Sequence, residues 1–88
     1  MRSMYTLATH YRGAELCVEL DEEEARLLIN GLVRQCSPLS NTLRLSSTVQ
    51  TDYEWHEFIE GIITCNAEVI KMVLVANKAE IAEKEFSP

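Results

Sequence analysis

The sequence predicts an α+β fold, an N-terminal β-hairpin packed on two helices, and three observations carry that expectation. Apolar and polar residues alternate on both sides of Arg12-Gly13, an apolar stripe of helical period follows Asp21, and a longer one follows Thr51. The 88 residues make one small domain, 1–88, whose thin core would gain from self-association. No internal repeat, low-complexity segment or linker divides it.

From Met4 to Tyr11 the alternation is rough, and from Ala14 to Leu20 it is clean. A two-residue loop at Arg12-Gly13 sets Tyr11 opposite Ala14, Thr9 opposite Leu16, Leu7 opposite Val18 and Tyr5 opposite Leu20, all on one face. The other face receives Thr6 with Glu19, Ala8 with Cys17 and His10 with Glu15, which suits water. A slip of one residue would turn one strand's apolar set outward, so the pattern fixes the register.

Asp21 and Glu24 have the spacing of a capping box, with Leu20 placed to staple onto Ala25. Ala25, Leu28, Ile29, Leu32, Val33 and Cys36 then form the dry stripe of a first helix, and Glu22, Glu23, Arg26, Asn30 and Arg34 its wet side. Cys36-Ser37-Pro38 ends it, because the residue before proline disfavours helical geometry. Residues 37–51 are rich in serine and threonine, and Leu43, Leu45 and Val49 alternate with polar residues. The expectation there is a loop holding a short strand or a helical turn.

Thr51 and Glu54 form a second capping box, and Phe58, Ile62, Cys65, Val69, Met72, Ala76 and Ala79 follow in steps of four and three. This predicts a helix of roughly 30 residues, about 45–50 Å long at 1.5 Å per residue. A compact chain of this length has a radius of gyration of about 12 Å, so the rod would project unless it breaks near Asn66 or a second subunit covers it. A homo-oligomer is therefore expected, with Met72, Ala76 and Ala79 at its interface.

The charge excludes several functions. With 14 Asp and Glu against 8 Lys and Arg, a formal net charge of −6, the chain lacks the basic stripe of a nucleic-acid binder and is repelled by anionic membranes. No apolar run approaches the roughly 18 residues of a membrane span, and MRSMYTLATHYRG lacks the core of a secretory signal, so a cytoplasmic location is expected. Cys17, Cys36 and Cys65 have no CxxC spacing and no zinc-module histidines beside them, and read as buried or half-buried thiols.

Catalytic groups are scarce. His10 and Cys17 lie diagonally on the outer hairpin face with no third orienting group, and His56 is placed to pair with Glu60 along a helix. Gly13, Gly31 and Gly61 stand singly, so no phosphate loop exists. No enzyme activity, cofactor or metal is expected. The acids are the prominent feature, six between Glu15 and Glu24 and five between Asp52 and Glu68, with no Lys or Arg in either stretch. On a helix Glu54, Glu57 and Glu60 would form a ridge beside Tyr53 and Trp55. The leading expectation is a non-catalytic inhibitor or adaptor, of the kind phages and mobile elements carry, that docks this ridge on a partner protein's basic surface. The alternative is an oligomer binding a small molecule or nucleotide in an intersubunit pocket, with Arg12 and Arg44 as anion contacts.

Overall fold

Arg12-Gly13 does make the expected turn in the computed structural model, which describes residues 5–50 and 56–87, Gln50 by its backbone alone. Strands β1 (Tyr5–Tyr11) and β2 (Ala14–Leu20) pair antiparallel in the predicted register, Tyr11 opposite Ala14 through Tyr5 opposite Leu20. Arg12 (φ 49°) and Gly13 (φ 84°) are both left-handed, the type I′ geometry whose twist matches the strands it joins.

Beyond this hairpin the fold is all-β. The described residues contain no helix. The first predicted helix is a second hairpin, β3 (Glu24–Ile29) and β4 (Leu32–Pro38), turned by Asn30 (φ 53°) and Gly31 (φ 81°). The ambiguous stretch supplies a full strand, β5 (Thr42–Gln50), with Leu43, Leu45 and Val49 buried. The long helix is instead β6 (His56–Cys65), β7 (Ile70–Ala76) and β8 (Ala79–Phe86). The second capping box, at Thr51 and Glu54, lies outside the described residues.

Two four-stranded antiparallel meanders result, β1-β2-β3-β4 and β5-β6-β7-β8, stacked face to face. Leu16, Val18, Leu27 and Ile29 of one sheet share a single core cluster with Leu45, Ile59, Ile63, Met72 and Leu74 of the other. Gly61 lets the sheets meet closely, since a Cβ there would lie 3.2 Å from Val18 Cγ2 and 3.6 Å from Leu27 Cδ1. One seam is closed by the Tyr5 and Phe86 rings, whose centroids are 5.0 Å apart. At the other, Ser46 N–H of β5 donates to Gln35 Oε1 of β4 at 2.5 Å.

The meanders also repeat each other's turn chemistry. Asp21 Oδ1 accepts from the N–H groups of Glu23 and Glu24 at 2.7 and 2.9 Å; Asn66 Oδ1 accepts from Glu68 and Val69 at 2.8 Å each. Asn30 exchanges two bonds with the Glu15 backbone, and Asn77 does the same with Phe58. Without sequence identity between the halves, this repeat is visible only in the structure.

The capping box at Asp21 is thus a turn in which the side chain satisfies the next backbone donors, the same local bond a helix N-cap makes. The residues beyond the turn decide between strand and helix. Asn30-Gly31 is a strong hairpin signal, and Ile59, Ile62, Ile63, Val69, Ile70, Val73 and Val75 are β-branched, favouring pleated backbone. The radius of gyration is 12.4 Å, and with no projecting rod to cover, the reason for expecting an oligomer is gone. Met72 and Ala76 point into the core, and Ala79 is exposed beside the last turn.

Candidate functional site

Three features stand out from the polar exterior: the exposed strand β4, a buried carboxylate at the end carrying the type I′ turns, and a cavity at the opposite end.

β4 follows from the Asn30-Gly31 turn, which sends the chain back along β3 with Leu32 opposite Ile29 and Val33 opposite Leu28. A register shift between Leu27 and Leu28 leaves Arg34 as the extra residue on β4. As the last strand of its sheet, β4 pairs through one edge only. All its residues except Ser37 are exposed, including Leu32 (65%) and Val33 (53%). On the sheet's outer face β4 adjoins Glu24, Arg26 and Leu28 of β3, and the nearby acids gather on Arg26. Arg26 holds three of them, donating from Nη1 to Asp21 Oδ2 at 2.7 Å and Glu24 Oε2 at 3.1 Å, and from Nε to Glu19 Oε1 at 3.2 Å. Asp21 is held at a pKa of about 2 by the Arg26 bond and the two backbone N–H groups. Glu22 and Glu23 are exposed, and neither side chain forms an ion pair among the described residues.

At the turn end, Glu57 faces inward from β6 opposite Val49 and is buried. Its Oε1 accepts from Tyr11 Oη at 2.9 Å and Asn77 Nδ2 at 3.0 Å, with Arg12 Nη1 at 3.6 Å, while Oε2 is buried without a hydrogen-bond partner. Burial and the bond to Glu57 raise the Tyr11 pKa above its ordinary value.

The opposite end holds a cavity of about 540 Å³ between the sheets, walled by Tyr5, Leu20, Leu39, Cys65 and Ile70 and rimmed by polar side chains.

Among the described residues, Glu57 and Glu60 of the predicted helical ridge lie on a strand. Strand geometry sends Glu57 inward and Glu60 outward, and Tyr53, Glu54 and Trp55 lie outside the described residues. The two arginines assigned to an anion site separate as well, Arg12 going to Glu57 and Arg44 to Glu60 at 3.4 Å on the outer face. His10 pairs with Glu15 at 3.6 Å. Burial, with Glu19 and Glu15 nearby, pushes the Cys17 thiol up to about 11, so it stays protonated at neutral pH and is a poor nucleophile. Cys65 is half-buried, but Cys36 is exposed on β4, contrary to the expectation of three sheltered thiols. The residues that sequence reasoning passed over are Leu32, Val33 and Leu39; Asn30-Gly31 was the signal for them, since a hairpin there sets the next residues on an edge. Comparison with known families, characterised proteins and solved structures finds no match.

Proposed function

We propose that the protein is a non-catalytic binding protein that takes an extended segment of a partner protein along the free edge of β4. The observation that carries this reading is the exposure of β4 along its length, with Leu32 and Val33 open to water on a strand paired through one edge. Edge strands are usually guarded by lysine, proline or bulges against pairing with other chains. Here the bulge at Arg34 and Pro38 guard the middle and far end, and the Leu32-Val33 end beside the turn is left apolar and open. The Gln35 side chain reaches the Ser46 N–H of β5, and the β4 backbone makes no hydrogen bond to β5 among the described residues.

An added strand gains main-chain hydrogen bonds, and alternate side chains choose the partner. Leu32 and Val33 favour apolar residues opposite them, and the net charge of −6 with exposed Glu15, Glu22 and Glu23 favours a basic partner. The acidic protein thus keeps its basic partner, met at β4 instead of a helical ridge.

The test is capture of a specific partner from host lysate by the wild type and by a Leu32→Lys/Val33→Lys variant, followed by amide exchange on the complex. Both positions are exposed, so the variant keeps its thermal midpoint. The reading expects capture to fall about tenfold or more, a loss of about 1.4 kcal/mol or more, and the amides of β4 to slow their exchange in the complex. Undiminished capture, or protection confined to another strand, overturns it.

A further inference from the structure

We infer that Asn30 is a site of spontaneous modification, where Gly31 and water convert the side-chain amide to a carboxylate at the open end of β4. Asparagine deamidates when the backbone nitrogen of the next residue attacks its side-chain carbonyl, and glycine is the least hindered nucleophile because it has no Cβ. The chain places asparagine before glycine once, at Asn30-Gly31; Asn41, Asn66 and Asn77 precede threonine, alanine and lysine. This chemistry is independent of what β4 binds.

The surroundings of Asn30 favour each part of the reaction. Both turn residues are exposed. The space a Cβ at Gly31 would fill has nothing within 4 Å, so the turn rotates toward the attacking geometry without meeting a neighbour. Gly31 N–H makes no backbone hydrogen bond among the described residues, which leaves its proton open to hydroxide. Asn30 Oδ1 accepts from Glu15 N–H at 2.9 Å, a donor already aimed at the oxygen that gains charge under attack. Asn30 Nδ2 has no partner among the described residues. The deprotonated Gly31 nitrogen bonds to Asn30 Cγ, the Cγ–Nδ2 bond breaks, and the amide nitrogen takes a proton from water and leaves as ammonia. Water then opens the cyclic imide at either carbonyl, giving aspartate or its isoaspartyl isomer. Both products add a negative charge beside Glu15. The isoaspartyl form also routes the main chain through Cβ and Cγ, lengthening the turn that sets Leu32 opposite Ile29.

Asn77-Lys78 is the comparison within the same fold. Its backbone is left-handed too, and Asn77 Oδ1 accepts from Phe58 N–H at 2.9 Å. However, the Lys78 side chain hinders its backbone nitrogen, and Asn77 Nδ2 donates to the Glu57 carboxylate at 3.0 Å. That bond strengthens the amide resonance and holds the leaving nitrogen in place.

The experiment incubates the folded full chain in mildly alkaline buffer, digests timed samples with trypsin under mildly acidic conditions, and follows the peptides Leu27–Arg34 and Met72–Lys78 by chromatography and mass spectrometry. Asn30 should convert to aspartyl and isoaspartyl forms, faster as pH rises, and about tenfold or more faster than Asn77. In Lys78→Gly, whose second peptide ends at Lys84 instead, both asparagines precede glycine and only their surroundings differ. Asn77 should quicken there yet trail Asn30 by about threefold or more, because Glu57 still holds its amide. Amide exchange at Leu32 and Val33 should be faster in the isoaspartyl protein than in the fresh chain. The site is overturned if Asn30 keeps its amide, or if Asn41 or Asn77 changes first. Equal rates at the two turns of Lys78→Gly overturn the role given to the surroundings, and unchanged exchange at Leu32 and Val33 overturns the effect on β4.

Discussion

Tyr11 and Glu57 stand 46 residues apart in sequence, and the phenol of one donates to the carboxylate of the other at 2.9 Å. The bond ties the first hairpin to the start of β6, and Asn77 adds the β7–β8 turn to the same oxygen. Glu57→Ala takes the acceptor from the half-buried Tyr11 phenol and the exposed Asn77 amide, at an expected cost of about 1–2 kcal/mol by chemical denaturation. Glu57→Gln keeps an oxygen for both donors and should cost less. Tyr11→Phe should lower the thermal midpoint. Alkaline titration of the wild type should find the Tyr11 phenol ionising above its ordinary 10.0, with a smaller rise in Glu57→Gln.

Asp21 links stability to acid pH. Its pKa falls from 3.8 to about 2 on folding, through Arg26 first and then the N–H groups of Glu23 and Glu24. A depressed carboxylate contributes stability that is complete above its unfolded pKa and is lost as pH falls through the folded value. The wild type should therefore lose thermal midpoint between about pH 4 and pH 2. Asp21→Asn should start lower at neutral pH and show a shallower decline over that window. Equal slopes in the two proteins would assign the acid sensitivity to other carboxylates.

Gly61 is occupied for want of space between the sheets. A Cβ there would press Val18 at 3.2 Å, so alanine asks for a small adjustment and valine for more than a close-packed interior gives. Gly61→Val is expected to cost about 1–3 kcal/mol in urea unfolding. An unchanged midpoint would mean that the sheets separate there without loss.

The turn at Asn77-Lys78 puts a lysine at φ 71°, where the equivalent positions of the other two turns hold Gly13 and Gly31. A side chain in left-handed backbone costs on the order of 1 kcal/mol, partly offset by the larger unfolded-state freedom of glycine. Lys78→Gly should raise stability by about 0.5 kcal/mol, read as a small rise in the thermal midpoint.

Met72 is fully buried against both sheets. Met72→Glu should lower stability by at least about 3 kcal/mol, since it sets an unpaired charge in the interior, read as a large fall in the urea midpoint. A folded variant with altered assembly would instead restore Met72 to an interface.

The sequence by itself determined the first hairpin and its register, because a period of two across a tight turn has one arrangement that keeps both faces consistent. It also marked Asp21 as a side chain that satisfies the backbone donors after it, although it read that bond as a helix cap where the chain makes a turn between strands. Whether the stretches after Asp21 and Thr51 coil or extend was a tertiary decision. Met72, Ala76 and their neighbours sit in an almost continuous apolar run that satisfies a helical stripe and a buried strand equally well, and local capping bonds are common to both. Pairing with β2 and β6 broke the tie, since β-branched residues on a pleated surface bury against a second sheet what a lone helix would leave projecting. That choice sent Glu57 inward and Glu60 outward, gave Arg12 and Arg44 to different acids, opened β4, and created a cavity whose walls come from segments far apart in the chain.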